Sequence, residues 1–159
     1  MTVVLLALDE SEASIEAARQ AHRLFGSDVT YLALNVAESS PAWGPVPPVR
    51  GVVYAYPYGA PYPLVEEEIL PARPEETLDA ARETAHELAD EAGVTAAPVG
   101  ELGDPTTAIL AAADEHDADV IVVGATEKGW WRRMIDGSVA NDLVRESTRP
   151  VLIAGRTPD

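Results

Sequence analysis

Residues 124–142 read GATEKGWWRRMIDGSVAND, with glycines at 124, 129 and 137 and Ser138 directly after the last of them. They follow ADVIVV, an apolar run of the kind that forms a buried strand. Glycines in a loop leaving such a strand let main-chain N–H groups turn toward phosphate oxygens. A helix opening at Ser138 would add free N–H groups and partial positive charge, and the serine hydroxyl could donate to a phosphate. In an open parallel sheet, ligands collect at the carboxyl ends of strands, near the point where strand order reverses. Two connections qualify: this one, from Gly124 to Ser138, and the one after the first apolar run, which carries Asp9. Both also have a plainer reading. Asp9 can simply end a strand and lead into a helix, and the glycine loop can be a strand-to-helix connection that only resembles a phosphate cradle.

Other chemistry finds little support. Cysteine is absent, which excludes disulfides, thiolate metal sites and a cysteine nucleophile. His22, His86 and His116 fall on three different predicted helices without partners at metal-ligand spacing, and are read as structural or surface residues. Neither Gly-x-Ser-x-Gly, a Walker lysine motif nor His-Glu-x-x-His occurs, so no catalytic residue is assigned and the chain is expected not to be an enzyme. Gly103-Asp104-Pro105 reads as a turn plus helix N-cap. Trp130 and Trp131, beside Arg132 and Arg133, fit either a cover over the loop or partner contact, or one core ring with the other over the helix start.

The elements that must position these residues alternate. TVVLLAL at 2–8 is a continuous apolar run suited to a strand covered on both faces. Ser11 is the expected N-cap of a helix whose Ile15, Ala18, His22 and Phe25 share a face and which Gly26 closes. Residues 28–36 form a second strand. A helix opens at Pro74 and ends at Gly93. Residues 94–100 predict a weaker strand, placed at a sheet edge by Pro98. Asp104 caps a third helix, 119–123 is a fourth strand, a helix runs from Ser138 to about Ser147, and a last strand follows Pro150. Alternation of this kind specifies a parallel α/β sheet with helices on both faces and right-handed crossovers. At 159 residues without internal repeat, one domain is expected, large enough to bury roughly two-thirds of its unfolded surface.

Residues 37–73 break the rhythm. They hold eight of the 13 prolines and four of the five tyrosines, Tyr54, Tyr56, Tyr58 and Tyr62. Proline at this density blocks helix and central strand, and so long a connection is functional, mobile or ordered by a partner. A lid, a docking arm and a tolerated surface insertion all fit it.

Asp and Glu number 27 against 11 Lys and Arg, for a net charge of −16, and Lys128 is the one lysine. Such a surface repels nucleic acid and anionic membranes. Its self-repulsion fades in molar salt, where the Debye length is about 3 Å, so the composition suits a salt-loving host. MTVVLLALDE carries an apolar run too short for a signal peptide or a membrane span, so a cytoplasmic location is expected.

LLALDESEAS, GDP at 103–105, ADVIVVGA at 118–125, GSVANDLV at 137–144 and RPVLIA near the end together resemble the universal stress protein family, over nearly the whole chain. The resemblance implies a five-stranded parallel sheet of order 3-2-1-4-5, of the adenine-nucleotide α-hydrolase-like type, and a homodimer formed through the last strand, residues 150–155. It also implies binding of ATP or AMP, with Mg²⁺ in company, through a pattern of Gly, two residues, Gly, nine residues, Gly, then Ser or Thr. Gly124, Gly137 and Ser138 match that pattern, while Glu127 stands where the middle glycine belongs. Asp9 matches the family's acidic residue near ribose and phosphate, and Val36 would lie near the adenine. A carboxylate beside a phosphate costs several kcal/mol at an effective dielectric near 20. Lys128, Arg132 and Arg133 could offset it, and Gly129 could supply the backbone freedom that Glu127 lacks. The expected function is thus a nucleotide-binding regulatory protein of the stress type with an unidentified protein partner. The alternatives are a nucleotide-free interaction module acting through the Tyr/Pro-rich loop and, third, a weak nucleotide hydrolase.

Overall fold

The computed structural model describes residues 1–37, 74–125 and 138–154. The Tyr/Pro-rich connection, Glu127, Gly129, the tryptophan pair and Gly137 lie outside the described residues. The first apolar run forms strand β1 (Val3–Ala7), followed by helix α1 (Glu12–Phe25), strand β2 (Thr30–Ala37), helix α2 (Pro74–Ala92), strand β3 (Ala97–Leu102), helix α3 (Pro105–Glu115), strand β4 (Val120–Gly124), helix α4 (Ser138–Glu146) and strand β5 (Val151–Ala154). The described strands pair in parallel in the order β3-β2-β1-β4-β5. Chain order therefore reverses at β1: β2 and β3 lie on one side of it, β4 and β5 on the other.

Period-two alternation divides β1 between two cores. Val4, Leu6 and Leu8 pack with Ile15, Ala18 and Ala21 of α1 and Ala85 and Leu88 of α2. Leu5 and Ala7 pack with Ile109 and Ala112 of α3 and Val139 and Leu143 of α4. A strand buried on both faces has no polar side to alternate with, which is why its sequence reads as an unbroken apolar run.

The helix boundaries follow from local chemistry. Ser11 caps α1, its side chain accepting from Ser14 N–H, and the Gly26 N–H returns to the His22 carbonyl at 2.9 Å. Asp104 caps α3, its Oδ2 accepting from both the amide and the hydroxyl of Thr107 at 2.9 Å. Pro98 lies in the edge strand β3, where its missing N–H breaks no interior ladder.

The third strand corrects the sequence reading. It begins at Ala97 and not at Val94, because residues 93 and 94 complete the end of α2. Val94 N–H bonds to the Ala89 carbonyl at 2.9 Å, Gly93 N–H to Asp90 at 2.9 Å, and Gly93 has φ +71°. This is a Schellman ending, and the buried Val94 is its apolar contact. The same motif closes α3 without a glycine: Ala118 N–H bonds to Ala113 and Asp117 N–H to Asp114, while Asp117 sits at φ 50°.

Side chains tie the far end of the sheet. The Tyr31 hydroxyl donates to the Gly26 carbonyl at 2.7 Å, and burial pushes its pKa above the ordinary phenol value. Arg149 pins the entry to β5, binding Asp114 Oδ1 at 3.0 Å and the Ala118 carbonyl. Glu16 is held below the usual carboxylate range by hydrogen bonds from Arg23 and Gln20.

One close approach governs the other end. A Cβ on Gly124 would stand 2.6 Å from the carbonyl carbon and oxygen of Ala13 and 2.7 Å from the amide nitrogen of Ser14. Glycine at 124 is thus what lets the first turn of α1 lie directly on the last residue of β4.

Two stability predictions follow from these contacts. Gly124→Ala should lower stability by about 1–3 kcal/mol, read from the urea midpoint with or without ligand, because backbone rather than a pliable side chain must give way. Asp117→Gly should raise stability by up to about 1 kcal/mol, since a left-handed residue other than glycine carries a steric cost that glycine avoids.

Candidate functional site

The carboxyl end of β1 is built so that its first loop residues are held. Leu8 stays on the sheet, its N–H bonded to the Leu34 carbonyl at 2.8 Å and its own carbonyl accepting from Asn35 Nδ2 at 3.0 Å. The chain then turns at Asp9, which is 1% exposed. Its Oδ1 accepts from the Ser11 amide at 3.0 Å and from the Ser11 hydroxyl. Its Oδ2 is buried and, among the described residues, has no hydrogen-bond partner.

Ser14 completes the arrangement from beneath. It is fully buried, and its Oγ accepts from the Asp9 N–H at 3.1 Å and donates to the Asp9 carbonyl at 2.6 Å. The Ser14 amide in turn donates to Ser11 Oγ at 3.2 Å. The spacing Asp9-x-Ser11-x-x-Ser14 is therefore a closed local network, seated against β4 by the Gly124 contact. It lies at the reversal of strand order between β1 and β4, where a parallel sheet opens a crevice.

The residues singled out in the sequence fall unequally around this point. Asp9, two residues beyond the end of β1, and Gly124, the last residue of the neighbouring β4, are linked through the first turn of α1: Gly124 lies against Ala13 and Ser14, and Ser14 holds Asp9. The Ala125 amide is already used by the Ala154 carbonyl at 2.8 Å, which keeps β5 on β4. Ser138 is the first residue of α4. Gly129, Gly137 and the mismatched Glu127 lie outside the described residues. Val36 sits near the end of β2 opposite Glu101, and its side chain, 7% exposed, packs into the core on the α3 and α4 side. Gly103 acts as the turn into α3, its N–H bonded to the Ala37 carbonyl at 3.0 Å.

Ser14 and Asn35 were not read as site residues from the sequence. A serine three residues beyond an N-cap serine signals only a helix start. Its two hydrogen bonds with the Asp9 main chain need the strand-to-helix turn to be in place. Among the described residues no three His, Cys, Asp or Glu gather as metal ligands, and no helix is long and apolar enough to cross a membrane.

No curated protein matches the sequence at a significant level. Solved structures resemble it throughout its length. One is a universal stress protein in complex with cAMP, 23% identical over 96% of this chain and 95% of the other, with a TM-score of 0.55. A universal stress protein family protein from Arabidopsis thaliana with AMP bound is 20% identical over 100% of this chain and 94% of its own, with a TM-score of 0.57. UspA from Lactobacillus plantarum is 22% identical over 96% and 97%, with a TM-score of 0.53. At these identities the likeness is one of fold. The profile of the universal stress protein family matches residues 1–155. With the sheet order β3-β2-β1-β4-β5 and a profile match over nearly its full length, the chain belongs to the universal stress protein family.

Proposed function

We propose that this chain is a regulatory binding protein that holds an adenine nucleotide, ATP with Mg²⁺ or AMP, over the carboxyl ends of β1 and β4. The observation that carries this reading is the buried Asp9 Oδ2, an acceptor with no donor among the described residues, at the point where the strand order reverses. An unpaired buried acceptor is costly, and a bound donor relieves it. A nucleotide fits because it brings hydroxyl and amino donors for the strand-one side and phosphates for the glycine loop and the start of α4. In this reading Gly124, Gly129, Gly137 and Ser138 serve the phosphates, Asp9 the sugar, and the main chain at Val36 the base. The AMP and cAMP of the two similar structures lend support from the same fold. Binding would alter loop order or dimer contacts and pass that state to a protein partner, without catalysis.

A nucleotide-free interaction module is the second reading. It is favoured by Glu127 in the middle-glycine position and by Gly124 having a packing role that requires no ligand.

Self-association through β5 belongs to the proposal. Ile153 on that edge strand is 42% exposed and Val144 on the neighbouring α4 is 54% exposed, two apolar side chains left open among the described residues. Ile153→Asp should convert a dimer to a monomer in sedimentation at molar salt, with the far-ultraviolet dichroism unchanged. An unchanged mass would remove this edge as the contact.

Denaturing the purified protein should release AMP or ATP. Added ATP·Mg²⁺ at about 100 times its dissociation constant should stabilise the emptied protein by about 2.7 kcal/mol in molar salt. No released nucleotide together with no thermal shift from ATP, AMP or cAMP would sink the nucleotide reading in favour of the second. Phosphate release from ATP above background, lost in Asp9→Asn, would show catalysis instead.

A further inference from the structure

We propose that Ser14 is a positioning residue that makes this site select ribonucleotides over deoxyribonucleotides, by locking Asp9 so that its unpaired Oδ2 accepts a sugar hydroxyl; this rests on the nucleotide reading above. Three features of the geometry carry it. The Ser14 hydroxyl, with no exposed surface, holds both polar groups of the Asp9 main chain, the N–H at 3.1 Å and the carbonyl at 2.6 Å. The Ser11 amide and hydroxyl then fix the Asp9 side chain by occupying Oδ1. With main chain and one carboxylate oxygen both held, the remaining oxygen has a set direction and, among the described residues, no partner. Without Ser14 the Asp9 peptide is free to rotate, and Oδ2 can swing away from the ligand to find water.

Strand order says which part of a nucleotide arrives there. With phosphates over the exit of β4 and the base over the end of β2, the strand between them is β1, so the group above Asp9 is the sugar. Phosphate oxygens at neutral pH offer no hydrogen to a carboxylate and are repelled by it. Among the described residues no three ligating side chains gather, so no metal site made of protein ligands alone forms there, and the Mg²⁺ of the proposal would travel with the phosphates. A ribose hydroxyl is a neutral donor of the right kind.

The test is a comparison of dissociation constants for ATP, 2′-deoxy-ATP and 3′-deoxy-ATP, each with Mg²⁺ in molar salt, by titration calorimetry. The wild type should bind at least one deoxy analogue ~10-fold or more weakly than ATP, the worth of a hydrogen bond to a charged acceptor. In Ser14→Ala that ratio should fall below ~3-fold while ATP still binds, the change expected when the hydrogen bond loses its geometry. Tyr31→Phe, which removes a hydrogen bond at the opposite end of the sheet, should lower stability and leave the ratio intact. Should Ser14→Ala not fold, Asp9→Asn reads the same ratio and should lower it. Equal binding of all three nucleotides by the wild type, or a ratio undiminished in Ser14→Ala, overturns the inference while leaving nucleotide binding standing. Binding of none of them overturns both.

Discussion

The seating of α1 on β4 is the contact on which the rest of the molecule's chemistry depends. Two backbones meet at Gly124 with no room for a methyl group between them. That approach fixes where the first turn of α1 lies, and the first turn holds Ser11 and Ser14. Those two serines in turn hold Asp9, main chain by one and side chain by the other. Among the described residues one oxygen of this buried carboxylate stays unfilled while the serines hold the rest of the residue. The surrounding structure over-determines it, which is how proteins retain locally unfavourable groups.

Glycine 124 therefore has two explanations, and they are compatible. As the first member of a phosphate-binding pattern it belongs to the ligand; as a packing residue it belongs to the fold. The structure gives the second directly. A motif glycine is thus weaker testimony for a bound anion than its place in the pattern suggests, and the unpaired Asp9 oxygen is the more informative feature because packing gives no reason for it.

The charge of the chain bears on the same site. With a net charge of −16, the protein's field opposes the approach of a polyanionic ligand, and salt weakens that opposition over a Debye length. Among the described residues Glu16 pairs with Arg19 and Arg23 and Asp79 with Arg82 within single helices, while Asp114 pairs with Arg149 between α3 and the entry to β5. Pairs so exposed contribute about 0–1 kcal/mol each. Stability therefore comes from the two apolar layers, and the surface charge acts on solubility and encounter.

Much of this was legible in the order of residues. Unbroken apolar runs marked strands covered on both faces, and caps such as Ser11 and Asp104 marked helix starts, because those signals are local and depend on side-chain chemistry within a few positions. The edge position of β3 was legible too, from Pro98, while the full sheet order came by resemblance, since pairing between distant strands leaves no local trace. The start of β3 was misread because an apolar Val94 serves a helix ending as well as it serves a strand, and only the reversed hydrogen bonds of the cap tell them apart. What tertiary structure alone decided is the site: that Ser14 bonds back to Asp9, that Val36 turns its side chain into the core, and that Gly124 is pressed against Ala13. Each of these is a contact made across a turn or between strands, and its distance is set by how whole layers pack, which no short stretch of sequence encodes.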